Sequence, residues 1–153
     1  MKDNERQEAL PPLKGTHSPT PWHWASLWRA PHRLAFFSGV LLLIASGVWW
    51  AAVQIDRVSG VLGLSYAVSP TLTHAAVMTL GFMPLFFAGF LFTAGPKWLG
   101  MPGPEAAAIT TALALQVTGW LLWLAGSHLH SSVAVAGALI AGAAGLVIAG
   151  PIG

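Results

Sequence analysis

The chain has 153 residues, of which 55% are hydrophobic and only 8% are charged, and its mean hydropathy is +0.66. A soluble domain carries about a quarter of charged residues, so this composition excludes a soluble globular protein and indicates an integral membrane protein. The net charge of +2 is too small to indicate nucleic acid as a partner, and the absence of cysteine excludes disulfides, thiolate metal sites and covalently attached c-type haem.

The amino-terminal part of the chain precedes the first apolar run. Residues 1–21 are polar and lack apolar periodicity, so they are predicted to form a disordered cytoplasmic tail. Residues 22–33 have the sequence WHWASLWRAPHR, in which tryptophans stand among arginines and histidines. Because indole rings settle among lipid headgroups and arginines reach lipid phosphate, this segment is predicted to lie at the membrane surface. A ligand role for His23 or His32 is the alternative.

Four apolar runs follow, and each is long enough, at about 1.5 Å per residue, to cross a hydrocarbon core of about 30 Å. The predicted spans are 34–54, 72–95, 105–126 and 133–150. A loop containing several Gly and Ser connects the first two spans, a short turn connects the next two, and the loop SHLHSS connects the last two. The predicted fold class is therefore all-α, a polytopic transmembrane helix bundle with four spans over residues 34–153.

The second span differs from a plain lipid-facing helix in its polar and helix-breaking residues. It has His74 near its start, and Pro84 in its middle removes a backbone donor and is expected to kink the helix. Gly81 and Gly89 would let another helix, or a flat cofactor, approach closely. His74 and Met78 are four residues apart and are therefore predicted to share one helix face.

Basic residues predict the orientation of the bundle. Three of them fall at one end of the spans and one at the other end: Arg29, Arg33 and Lys97, against Arg57. The positive-inside rule then places the amino terminus in the cytoplasm. His74 lies at the opposite membrane face, together with His128 and His130 after span three.

These three histidines are the candidate metal ligands. Imidazole is a common ligand of haem iron and copper, and Met78 would add a soft donor beside His74. The structural alternative is that His74 only hydrogen-bonds to water or a carbonyl at the helix end, with Met78 in the core. His128 and His130, two residues apart in a predicted loop, could equally be exposed to solvent.

The fourth span is built almost wholly from small and aliphatic residues. Gly137, Ala141, Gly145 and Ala149 repeat at intervals of four, which predicts a ridge for close packing of a second helix. The sequence stops soon after this ridge without a polar tail. We therefore expect a truncated chain, whose ridge packs against a helix that the chain itself does not supply.

Two stretches resemble the NnrS family of membrane proteins. WRAPHRLAFFSGV is similar to the start of the family's first helix, and HAAVMTLGF with AGFLFTAGPKWLG resembles its His-Ala-His-Glu-Met box, Gly-Phe pair and Pro-x-Trp exit. The matching positions are His74, Met78, Gly81, Phe82, Thr93, Pro96 and Trp98. Ala76 stands where the box has its second histidine, and Val77 stands where it has glutamate. The likeness covers about Arg29 to Gly100 and fades beyond.

The resemblance implies a bacterial inner-membrane protein that binds haem b non-covalently, and copper in addition, and that acts in nitric oxide response or nitrogen-oxide metabolism. It implies His74 as a haem ligand, with Met78 and Gly81 shaping the pocket. The expected partners are the lipid bilayer, haem, and further transmembrane helices of the same or another chain. Two alternatives of other classes are a transporter or channel module, in which His74 gates or relays protons, and a passive assembly subunit.

Overall fold

A computed structural model describes residues 23–150 of the protein. The predicted tail at 1–21 and Trp22 of the predicted surface segment lie outside the described residues. Within the described part, four helices are long and apolar enough to cross a membrane, and there is no strand. The predicted all-α class with four spans is therefore confirmed.

Each of the four helices is longer than its predicted span, although the third begins one residue later and the fourth ends one residue earlier than predicted. A short 3-10 helix, Trp24–Ser26, precedes them. They are α1, Pro31–Ser59; α2, Pro70–Leu99; α3, Ala106–Leu129; and α4, Ser131–Ala149.

Local backbone chemistry explains where α1 begins and ends. Pro31 occupies the first helical turn, where its missing N–H costs nothing, and Gly60 ends the helix in the left-handed conformation with φ 64°. Pro31 and Gly60 both lie outside the apolar run, so the helix extends beyond this run by several residues at each end. The length of the helix therefore depends on its terminating residues as well as on hydrophobicity.

Helix α2 contains a π-helical segment, Val77–Phe82, directly before Pro84. The N–H of Met83 donates to the carbonyl of Met78, five residues back instead of four. A proline ring clashes with the carbonyl four residues before it, and the wider π turn relieves that crowding. The irregularity expected at Pro84 is thus an extra residue in one turn of the helix.

The connection between α3 and α4 is shorter than predicted. The sequence SHLHSS was expected to form a loop, but α3 extends through Leu129 and α4 begins at Ser131, which leaves only His130 between them. His130 is extended, with φ −164°, and its side chain accepts a hydrogen bond from the N–H of Ser132. Such an N-cap starts the next helix at once, so a longer loop is not needed.

The small-residue ridge of α4 packs against α3 of the same chain. A Cβ added at Gly119 would lie 2.6 Å from the carbonyl oxygen of Gly137, and one at Gly126 would meet the backbone of Ala134. The expectation that this ridge lacks its partner within the chain was therefore wrong. The two glycines of α3, which sequence inspection did not single out, complete the interface.

Aromatic rings of the same chain fill the space beside the two glycines of α2. A Cβ at Gly81 would lie 3.1 Å from the indole of Trp120, and one at Gly89 would lie 2.9 Å from the ring of Phe36. Helices α3 and α1, respectively, supply these rings. The close approach that the glycines predicted is thus made by neighbouring helices.

Candidate cofactor site

His74 lies in the second turn of α2, against α1. Its Nδ1 forms a hydrogen bond of 2.9 Å with the hydroxyl oxygen of Ser46. Ser46 is completely buried, whereas the His74 side chain is half-buried. The hydrogen bond to this hydroxyl therefore keeps Nδ1 of the imidazole facing the interior of the bundle.

The His74 imidazole also stacks on the indole of Trp50, which fixes the orientation of its plane. The rings of His74 and Trp50 are nearly parallel, with 4.8 Å between their centroids and 13° between their planes. The guanidinium carbon of Arg57 lies 5.3 Å from the centre of the Trp50 ring, a cation–π distance. Ser46 and Trp50, both on α1, thus fix the position and rotation of the His74 ring.

The second nitrogen of His74 has no hydrogen-bond partner among the described residues. An imidazole that is anchored through Nδ1 and has an available Nε2 is the usual arrangement of a histidine that binds a metal. His74 therefore fits the role of a haem ligand.

His128 lies at the same end of the bundle, in the last turn of α3. Its Nε2 accepts a hydrogen bond of 2.7 Å from the indole N–H of Trp49, and its Nδ1 donates one of 2.9 Å to the carbonyl oxygen of Ser65. The Tyr66 ring lies 5.1 Å away, centroid to centroid. Because both ring nitrogens are used, His128 connects α1, the first loop and α3 and has no lone pair available for a metal.

The first loop brings Ser65 and Tyr66 to this end of the bundle. The Asp56 carboxylate accepts hydrogen bonds from the backbone N–H groups of Leu62, Gly63 and Leu64, at 2.8–3.0 Å. The backbone N–H of Ala67 then donates to the carbonyl of Ser127, at 2.7 Å. The loop is thus attached both to the end of α1 and to the end of α3.

The other candidate residues are His130, Met78 and Gly81, and none of them forms a hydrogen bond with His74 in the described part of the chain. His130 is exposed and pairs with Ser132, with 2.9 Å between its Nδ1 and the hydroxyl oxygen. Met78 is half-buried one turn beyond His74. The position beside Gly81 is taken by the indole of Trp120, so Gly81 does not offer a free surface to a flat cofactor.

Residues 26–152 match the family model described as NnrS protein. The chain belongs to the NnrS family. The match runs well beyond Gly100, where the resemblance visible in the sequence fades, and takes in α3 and α4. No curated protein and no solved structure matches the chain.

Membership of the NnrS family raises the question of which cofactors these residues fit. One anchored imidazole with an available nitrogen, at His74, fits a haem ligand. A copper ion would need more donors, and residues 23–150 contain no group of three or more His, Asp or Glu side chains that could hold a metal.

Sequence reasoning missed the residues that hold the two histidines. Ser46 gave no signal, since an isolated serine in an apolar span is ordinary. Trp49 and Trp50, near the end of the first predicted span, were not singled out either, yet each contacts one histidine through its indole. A pair of adjacent tryptophans at the same membrane level as two histidines was the available signal.

Proposed function

We propose that this NnrS-family protein binds haem b through His74 and acts in nitric oxide response or nitrogen-oxide metabolism. The observation that supports the proposal is the His74 imidazole, held by Ser46 and stacked on Trp50, with Nε2 available. Bound haem would supply an iron that can take nitric oxide as a ligand or exchange an electron. A second axial ligand, and any copper donors, would come from further helices of the same or another chain.

The chain's own residues would prepare the ligand. In the proposed holoprotein the Ser46 hydroxyl oxygen accepts a hydrogen bond from Nδ1–H of His74, which leaves the lone pair on Nε2, and Trp50 restricts rotation of the ring. We also propose that the protein lies in the bacterial inner membrane with a cytoplasmic amino terminus, because Arg29, Arg33 and Lys97 lie at the end opposite His74.

Visible spectroscopy of the detergent-purified full chain, supplied with haem, tests the ligand. We expect a Soret band for the unaltered protein, at least a tenfold loss of haem affinity for His74→Ala, and no loss for His130→Ala. Free imidazole should restore the band to His74→Gly, because it can replace the missing ring. Equal Soret bands for His74→Ala and the unaltered protein would contradict the proposal.

One observation favours a second candidate, a transporter or channel module. The π-helical segment Val77–Phe82 begins three residues after His74, and π turns often mark mobile or functional positions in helices. This candidate predicts solute flux in proteoliposomes that His74→Ala abolishes, and no haem spectrum in the unaltered protein.

A further inference from the structure

A group of basic side chains lies at the end of the bundle away from His74. Helices α1 and α2 run antiparallel with Phe36 packed against Gly89, so the start of α1 lies level with the end of α2. Lys97, near the end of α2, therefore lies at the same end of the bundle as His32 and Arg33 in the first turn of α1. Two neighbouring helices thus place Arg33, Lys97 and His32 at one end of the bundle, and we call these three residues the basic cluster.

The basic cluster has no anionic partner in the described part of the chain. Arg33 donates one hydrogen bond, of 3.1 Å, to the backbone carbonyl of Ser26, and neither Arg33 nor Lys97 forms an ion pair with Glu105 at the start of α3. Both cationic side chains are exposed. Two exposed cations at one end of the bundle, without an acidic partner among the described residues, favour an external anion.

The surroundings of the basic cluster are those of a lipid headgroup region. Tryptophans precede α1 and follow Lys97 on α2: Trp24, Trp28 and Trp98 are 69%, 61% and 70% exposed. Indole rings favour this level of a bilayer. An apolar cavity of about 210 Å³ lies at the same end of α2, lined by Phe92, Pro96 and Leu99 among others, and is open to an acyl chain.

We propose that the basic cluster is a binding site for an anionic phospholipid, with the phosphate held between Arg33 and Lys97. Charge complementarity supports this occupant, since a guanidinium and an ammonium together match a lipid whose phosphodiester charge is not neutralised by its own headgroup better than a zwitterionic lipid. The site is separate from His74 and does not depend on haem.

Native mass spectrometry of the detergent-purified full chain with added phosphatidylglycerol tests the site. We expect one retained lipid for the unaltered protein and about twenty-five-fold weaker retention for Arg33→Gln/Lys97→Gln, because each basic side chain near an anionic lipid contributes a factor of about five. The charge-preserving pair Arg33→Lys/Lys97→Arg should retain the lipid. Arg57→Gln removes one charge at the other end and should also retain it.

Three outcomes would overturn the proposal. The first is equal retention of phosphatidylglycerol by the neutral double variant, provided that its thermal unfolding matches that of the charge-preserving pair. The second is equal retention of phosphatidylcholine by the unaltered protein. The third is displacement of phosphatidylglycerol by millimolar inorganic phosphate, which would identify a site for a free anion instead of a lipid.

Discussion

At the scale of single residues, Tyr66 is a built-in reporter of the loop that covers His128. It is the only tyrosine of the chain, and its hydroxyl is buried without a partner among the described residues. Burial, and then the nearby Asp56 carboxylate, raise the pKa of Tyr66 above its usual value of 10.0, against the smaller opposing effect of Arg57. We expect the phenolate absorbance of the folded protein to appear only above that pH, in a spectrophotometric titration.

The sign of the accompanying stability change follows from proton binding. The folded state keeps the Tyr66 proton to higher pH than the unfolded state, so stability is unaffected below the usual pKa and falls as pH rises through the raised one. Tyr66→Phe should abolish the absorbance change and this loss of stability. It should cost little at neutral pH, because the removed hydroxyl has no protein partner. A titration midpoint at or below the usual value would show that the hydroxyl is solvated.

For single residues, the sequence predicted which side chains are candidates but not which contacts they make. His74 was recognised as a candidate because an ionisable residue within a span is costly without a role. Its contacts with Ser46 and Trp50 depend on the register between α1 and α2, which one sequence does not specify. For His128 the expected loop was wrong, because the chain continues as a helix and places the ring between Trp49 and Ser65.

At the scale of helices, the contact between α3 and α4 predicts opposite effects for two glycines. Gly126→Ala would place a methyl group against the backbone of Ala134, which cannot move aside as a side chain can. We expect a loss of about 1–3 kcal/mol in the free energy of unfolding, as for other overpacked interfaces. Denaturant unfolding in detergent micelles, followed by tryptophan fluorescence, measures the change.

Gly142→Ala is the matched control for Gly126→Ala. Gly142 lies in the middle of α4, is exposed, and has no atom within 4 Å of an added Cβ. Alanine is a better helix former than glycine, so this variant should be unchanged or stabilised by up to about 1 kcal/mol. Similar destabilisation of both variants would mean that helix contact is not what Gly126 provides.

The helices themselves were largely predictable, and their irregularities were only partly so. Apolar runs long enough to cross a bilayer located all four helices, because hydrophobic length is the dominant constraint in a membrane. Pro84 predicted a break in α2, but the choice of a π turn depends on neighbouring helices that hold both halves in place. The ridge of α4 was recognised from its spacing, whereas its partner required the placement of Gly119 and Gly126 on α3.

At the scale of the whole molecule, the two ends of the bundle differ in chemistry. One end carries His74 and His128, held by Ser46, by adjacent tryptophans and by a loop that Asp56 anchors. The other end carries Arg33 and Lys97 without acidic partners in the described part. This asymmetry links the proposed orientation to both proposed sites, since the positive end should lie in the cytoplasm and the histidine end across the membrane.

Cysteine labelling measures that orientation directly, because the chain has no cysteine of its own. Val61, 75% exposed beyond α1, and Met101, 62% exposed beyond α2, lie at opposite ends of the bundle. A membrane-impermeant maleimide should label Val61→Cys in spheroplasts, and Met101→Cys only after the membrane is opened. The reverse pattern would place His74 on the cytoplasmic side, where haem could still bind but where the charge argument for the orientation would have failed.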